Sequence, residues 1–149
     1  MTTLPQARNK SDVEVVSRLS PLQQGILFHA LQLGEADPYL YQYGFDITGP
    51  FDQEKFDRAW KHVISNYQAL RAEYRWEETD KPVQIIFKTP FVDTQINDVA
   101  GKTAAQKSEM IAAALTQVRK EKINFNQASP ANFRVFIDGD NQWSFYWSF

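Results

Sequence analysis

Apolar and polar positions along the chain switch between a helical and an extended period, and the switches mark out its elements. Leu22, Ile26, Ala30 and Leu33 recur at helical spacing. Ser20 stands ahead of them as N-cap, Gln23 completes a Ser-x-x-Gln capping box, Pro21 takes the first helical position and Gly34 supplies a stop. Gly25 lies inside this helix, where glycine costs about 1 kcal/mol relative to alanine, and a close backbone approach is the expected reason. Residues 40–48 alternate as a strand, and Gly49-Pro50 turns the chain out of it. A second helix follows: Asp52 is its N-cap, Phe51 and Phe56 form a hydrophobic staple around that cap, and Phe56, Trp60, Val63, Tyr67 and Leu70 carry the apolar stripe.

The pattern then predicts a hairpin, with strands at 72–77 and 83–88, and a short strand at 91–96. Thr103 and Gln106 repeat the capping-box spacing at the head of a third helix. Ile111, Leu115 and Val118 face inward on it, while Arg119, Lys120 and Lys122 suit the negative end of its dipole. Two last strands, 133–137 and 143–149, are joined by the turn residues Asp138-Gly139-Asp140-Asn141. Residues 1–10 are polar and without periodicity and read as a tail. The alternation of helices and strands predicts an α+β fold, a sheet with helices packed against it. Trp143, Phe145, Trp147 and Phe149 fall on one face of the last strand, and nothing follows to cover them, so the chain is expected to end on an unfinished apolar surface.

Composition narrows the function classes. The 149 residues, 43% hydrophobic and 14% aromatic, suit one domain with a substantial core. A net charge of -2 with no basic stripe gives no reason to expect a nucleic acid or an anionic membrane as partner. With no cysteine there is no disulfide, thiolate nucleophile or cysteine zinc site, and no metal centre is expected. No signal peptide or membrane span is legible, so the expected location is cytoplasmic. The sequence has no phosphate loop and no Gly-x-Ser-x-Gly elbow, and its only histidines are His29 and His62. His29 flanks the buried stripe of the first helix and reads as an edge-of-core residue; His62 shares a face with Arg58 and Ser65 and reads as solvated. Tyr39, Tyr41 and Tyr43 suit either a groove lining or a half-exposed strand face.

Three stretches taken together resemble a known family. Arg18-Leu-Ser-Pro-Leu-Gln-Gln-Gly-Ile-Leu-Phe-His-Ala-Leu31, with Ser20, Gln23, Gln24, Phe28 and His29 at its matching positions, resembles the opening motif of the condensation domains of nonribosomal peptide synthetases. Asn66-Tyr-Gln-Ala-Leu-Arg-Ala-Glu-Tyr74, then Trp76 and Pro82-Val-Gln84, is similar to the second motif and its trailing hairpin. Phe125, Pro130, Arg134 and Trp147-Ser148-Phe149 resemble the approach to the third, the His-His-x-x-x-Asp-Gly motif that contains the family's catalytic histidine and is absent from these 149 residues. The second motif departs from the family form at Asn66 and Tyr67, where Arg-His is usual, and keeps Arg71.

The resemblance implies most of the N-terminal lobe of a two-lobed domain like chloramphenicol acetyltransferase, spanning 18–149. In the family such a domain joins a donor thioester to the amine of an acceptor thioester, both on the phosphopantetheine arms of carrier domains, with no cofactor bound to the domain itself. No catalytic residue is then expected in this chain, which alone should be inactive. Arg71, Trp147, Ser148 and Phe149 are expected to support the active site, although an exposed arginine ending a helix reads equally well for Arg71. Residues 1–17 are expected to be a tail that includes a docking segment: residues 10–18, with Asp12, Glu14 and Arg18, resemble the segment by which such subunits recognise the C-terminal tail of an upstream synthetase, and an ordinary linker is the plainer reading. The expected partners are therefore carrier domains, an upstream subunit, and either a missing C-terminal lobe or a second copy at the exposed hairpin. A noncatalytic docking module and a free-standing thioester acyltransferase are the competing readings.

Overall fold

The computed structural model describes residues 9–33, 38–77, 79–121 and 132–149. Gly34, Lys122, Phe125 and Pro130 lie outside these described residues. Strand β1 (Val13–Arg18) leads to helix α1 (Pro21–Leu33), strand β2 (Gln42–Thr48) and helix α2 (Gln53–Asn66). A 3-10 turn over Gln68–Arg71 then enters β3 (Ala72–Arg75) and β4 (Val83–Phe87), and β5 (Asp93–Asp98), α3 (Ala104–Glu121), β6 (Asn132–Ile137) and β7 (Gln142–Ser148) complete the order. These strands form two sheets, a three-stranded one in the order β1-β4-β3 and a four-stranded one in the order β2-β7-β6-β5. All pairings are antiparallel except β5 with β6, which α3 connects as a parallel crossover.

The helix starts follow the predicted chemistry. In α1 the Gln23 amide N–H donates to Ser20 Oγ at 3.3 Å while Ser20 N–H donates to Gln23 Oε1 at 2.9 Å. The same reciprocal pair joins Thr103 and Gln106 ahead of α3, and Asp52 accepts from the Lys55 amide at 3.0 Å to cap α2. Side-chain and backbone bonds to Lys55 together hold the Asp52 carboxyl below its ordinary value. The staple forms too, with the rings of Phe51 and Phe56 5.8 Å apart.

Five readings of the fold change. Val13–Arg18, where the pattern predicts no element, is strand β1, so the expected boundary between residues 17 and 18 falls within it. Helix α2 stops at Asn66, because Tyr67 adopts extended angles (φ -121, ψ 106); Tyr67 is exposed rather than part of the stripe. The buried side of α1 is carried by Leu27 and Ala30 with Gln23 and Ile26 at its margins, whereas Leu22 is 74% exposed and Leu33 also faces outward. A Cβ at Gly25 would meet nothing within 4 Å, so no close approach explains that glycine.

The fifth change concerns the terminal hairpin. Cross-strand register places Ile47, Phe45 and Tyr43 beside Trp143, Phe145 and Trp147, and these beside Ile137, Val135 and Phe133. Helix α2 lies across this face: Trp60 sits 4.4 Å from Phe133 and 5.2 Å from Trp147, and Phe56 sits 5.7 Å from Phe133 and 5.4 Å from Phe145, measured between ring centroids. The last strand is thus covered by a helix of its own chain and is not an open surface. What stays uncovered is the neighbouring edge, where Tyr41, Tyr43, Phe45 and Ile47 are exposed. The opposite face packs under α3 through Phe136 and Val118, both buried, and through the Lys107–Asp138 ion pair of 2.5 Å.

Phe133 has no exposed surface and touches both Phe56 and Trp60. Phe133→Ala should therefore lower the unfolding free energy by roughly 3–5 kcal/mol, the range for large aromatic truncations in a core. Urea titration of the two chains would read this difference; equal midpoints would mean that the aromatic layer does not hold the sheet to α2.

Candidate functional site

The residues singled out by the three motifs fall into three places. Those of the first motif organise the junction of α1 with the smaller sheet. Besides capping α1, Gln23 donates from Nε2 to Gln84 Oε1 on β4 at 2.9 Å, and Gln24 Nε2 donates to the Leu19 carbonyl at 2.9 Å. A small apolar cavity of about 150 Å³ sits behind them, lined by Leu19, Gln23, Ile26, Leu27 and Tyr74. Burial there pushes the Tyr74 phenol above its ordinary value. Phe28 and His29 point outward; His29 Nδ1 lies 3.2 Å from the Tyr39 hydroxyl, and both histidines are exposed. The edge-of-core reading of His29 is therefore replaced by a surface contact.

Arg71 is not the exposed end of a helix. Its side chain is 7% exposed, and its Nη1 donates to Glu14 Oε2 on β1 at 2.5 Å and to the Phe87 carbonyl on β4. Gln68 Nε2 adds a bond of 3.0 Å to the other oxygen of Glu14. The guanidinium first, then the amide, hold the Glu14 carboxyl below its ordinary value of 4.5. Asp12 is likewise engaged, accepting from the Thr89 amide at 3.2 Å and from its hydroxyl at 2.6 Å. Two of the three residues expected to dock a partner thus fasten β1 to its own fold, while Arg18 is exposed.

The third place is the end of β7. Ser148 is fully buried and accepts from Gln42 Nε2 at 3.2 Å. Gln42 Nε2 also donates to the Leu115 carbonyl at 3.1 Å, and Gln42 Oε1 accepts from Arg119 Nε at 2.9 Å. One amide therefore ties β2, β7 and α3 together. Trp147 and Phe149 lie 4.3 Å apart, and Phe149 stacks on Tyr41 and Tyr43 at 6.2 and 5.8 Å. Tyr41 and Phe149 exchange two backbone hydrogen bonds of 3.0 Å, extending the ladder to the last residue. Sequence reasoning does not single out Gln42; its only sign is a polar residue at an inward position of an alternating strand.

These places do not converge on one reactive centre. Arg71 and its partners belong to the smaller sheet, and Trp147-Ser148-Phe149 to the larger. Among the described residues no group of three or more His, Cys, Asp or Glu is arranged to hold a metal ion, and no helix is long and apolar enough to cross a membrane. The arrangement can hold a strand end rigidly between an aromatic layer and a polar network, and no nucleophile with its base accompanies it among the described residues.

Comparison with known proteins gives the family context. The family model described as Condensation domain matches residues 13–149. A linear gramicidin synthase polypeptide of Brevibacillus parabrevis is 32% identical over 137 residues, which is 92% of this chain and 3% of that protein. A mycosubtilin synthase polypeptide of Bacillus subtilis is 32% identical over 133 residues, 89% of this chain and 5% of that protein. Among solved structures, the starter condensation domain of rhizomide synthetase RzmA matches with a TM-score of 0.76 at 19% identity, covering 91% of this chain and 34% of that one. The first condensation domain of the calcium-dependent antibiotic synthetase, in complex with a substrate analogue, matches with a TM-score of 0.70 at 14% identity, covering 91% and 34%. At these identities the structural likeness establishes the fold. The chain spans a few per cent of its curated relatives and about a third of the solved domains.

The lowered Glu14 carboxyl has a consequence for stability. A carboxyl whose folded pKa lies below its unfolded one stabilises the fold above the unfolded value and loses that contribution as pH falls through the folded value. Glu14→Gln should therefore be less stable than the parent chain at neutral pH, and the gap should close as pH falls from 4.5 downward. Urea midpoints over a pH series measure it; a gap that is constant down to acid would remove Arg71–Glu14 as the anchor of β1.

Proposed function

This chain belongs to the condensation-domain family, and from that membership we propose that its parent domain forms amide bonds between two carrier-bound thioesters in a nonribosomal peptide synthetase. The acceptor amine attacks the donor's thioester carbonyl; the C–N bond forms, the C–S bond breaks, the donor's phosphopantetheine thiol leaves, and the amine's proton passes to a base. In the family a histidine of His-His-x-x-x-Asp-Gly orients the amine or takes its proton, and these 149 residues do not contain that motif, so the chain by itself carries no turnover. Holding both thioesters in line supplies much of the rate through proximity. Both substrates arrive on phosphopantetheine arms, and no bound cofactor is called for.

The observation that carries this reading is the immobilised end of β7. Ser148 is buried under Gln42, Trp147 is packed on Trp60, and Phe149 is locked to Tyr41 by paired backbone bonds. A strand held in this way suits a segment that must present a catalytic loop at a fixed distance from its substrates, because small displacements of a general base are costly in rate. Arg71 is proposed as a positioning residue one step removed, fixing β1 and β4 behind α1. The expected outcome is product from the parent polypeptide supplied with donor and acceptor on carrier domains, and none from the 149-residue chain alone. Turnover by this chain, or a parent that uses free thioesters as fast as carrier-bound ones, would overturn the proposal; the second result favours a free-standing acyltransferase.

An upstream-subunit contact at residues 10–18 is a separate proposal. It rests on Val15, Val16 and Arg18, which are exposed on an edge strand, rather than on Asp12 and Glu14. Val16→Glu and Arg18→Glu should each weaken binding of an upstream synthetase's C-terminal tail, read by titration calorimetry, while the fold melts unchanged. Undiminished binding by both variants would eliminate this surface.

A further inference from the structure

The amide of Gln42 has every hydrogen engaged inside the fold. Tyr41 and Phe149 exchange both backbone bonds, so the next pair in the ladder, Gln42 with Ser148, is a non-hydrogen-bonded pair, whose side chains stand closest together. Gln42 Nε2 donates to Ser148 Oγ at 3.2 Å and to the Leu115 carbonyl at 3.1 Å, and its Oε1 accepts from Arg119 Nε at 2.9 Å. Leu115 and Arg119 are four residues apart and so share one face of α3. The amide therefore grips a single turn of that helix by both its ends and gives its other N–H to the last residue of β7. Turned over, it would set Oε1 against the Leu115 carbonyl and an N–H against Arg119 Nε–H, so only one orientation is satisfied.

The polar row continues beyond this pair. Ser148 stands opposite Asn132 of β6 on its other side, and Asn132 Oδ1 accepts from Nη1 of the buried Arg134. On the opposite face, one residue back along β7, Trp147 lies between Tyr43 and Phe133. Apolar packing has no direction, whereas hydrogen bonds weaken steeply once distance or angle drifts. Replacing such a polar pair by apolar groups of the same shape is close to neutral for stability. Stability alone thus does not call for glutamine at this position, whereas a fixed placement of Ser148 against α3 does.

We propose that Gln42 is a positioning residue for amide formation: it fixes the end of β7 against α3 and, through Ser148, sets where the segment after Phe149 meets the two thioesters. The role rests on the condensation reading given above. Gln42 acts through Ser148 and not on the reacting atoms. A displacement of about 1 Å at reacting groups can lower a rate a hundredfold, so the signature of this role is a slower step on bound substrates with unchanged affinity for them.

Single turnovers of the parent polypeptide, held in excess over donor and acceptor loaded on separate carrier domains, test this. Gln42→Leu should lower the saturating rate constant about tenfold, with half-saturation moved by less than about twofold. Ser148→Ala removes one of the three bonds and should lower the rate constant less; in the Gln42→Leu background it should add almost nothing, because both changes delete the same contact. Gln42→Glu keeps the shape and the bond from Arg119 but sets an oxygen against the Leu115 carbonyl, and should be as slow as Gln42→Leu. A merely structural role would reduce the folded fraction, which changes how much enzyme saturation needs and not the rate constant reached. Far-UV circular dichroism checks folding; should Gln42→Leu unfold, Gln42→Glu and Ser148→Ala carry the comparison. An unsubstituted parent that forms no amide overturns the functional reading and this role with it. A productive parent whose folded variants keep its rate constant, or in which the two substitutions add in full, overturns the role of Gln42 alone.

Discussion

The contact on which the larger half of this fold depends is Trp60 of α2 lying between Phe133 of β6 and Trp147 of β7. Indole and phenyl groups at these separations remove a large apolar area from water, and tilted arrangements such as these add to the area term. Remove that contact and the β6–β7 hairpin would expose one face of alternating aromatic residues, a state that a small domain cannot sustain in water. The staple at Phe51 and the Asp52 cap fix where α2 begins, so the helix meets the sheet with Phe56 and Trp60 in the required places. A signal confined to one helix start thereby sets a contact to strands far along the chain.

The reverse face is held by polar chemistry. Gln42 binds the Leu115 carbonyl, the Ser148 hydroxyl and Arg119, and Lys107 pairs with Asp138. Partly buried amides of this kind cost stability when unpaired and impose one arrangement when satisfied. The aromatic layer encloses Phe133, and the polar network sets the register of α3 over the sheet. Gly44 belongs to the same constraint: the Tyr146 ring lies where its Cβ would stand, 2.5 Å from the nearest ring atom, so the strand beside β7 must narrow at that point. Tyr146 is itself pushed above the ordinary tyrosine range, first by burial and then by Asp46.

Local chemistry makes much of this legible in the sequence. The capping boxes at Ser20 and Thr103, the Asp52 cap, the staple and the turn around Gly139 (φ 75) all appear as read, because each depends on residues only a few positions apart. Strand β1 is not legible: Val-Glu-Val-Val-Ser-Arg on an edge has no consistent alternation, and its anchors, Arg71 and Thr89, come from far along the chain. The face of α1 is ambiguous in the sequence because apolar residues surround that helix, leaving periodicity little to choose between Leu22 and Leu27. The parallel pairing of β5 with β6 and the division into two sheets are long-range choices that no local pattern encodes. The same holds for the cover over the last hairpin, since the stripe of α2 says that one of its faces is buried and not which strands it meets.

Where the family motifs fall says what they are for. Ser20, Gln23 and Gln24 cap α1 and bind Gln84 and the Leu19 carbonyl, and Arg71 holds β1 against β4. All four act on the framework around the smaller sheet, so the stretches by which the chain is recognised encode the placement of elements rather than reacting groups. The chain is 32% identical to large peptide synthases, and under the function proposed above the end of β7 tolerates little movement, its position being inherited from every junction behind it. The departure at Asn66 and Tyr67 is consistent with this. Tyr67 terminates α2 with extended angles and is exposed, a position where the backbone matters more than the side chain, while the buried guanidinium four residues on bonds Glu14 of β1 and the Phe87 carbonyl of β4.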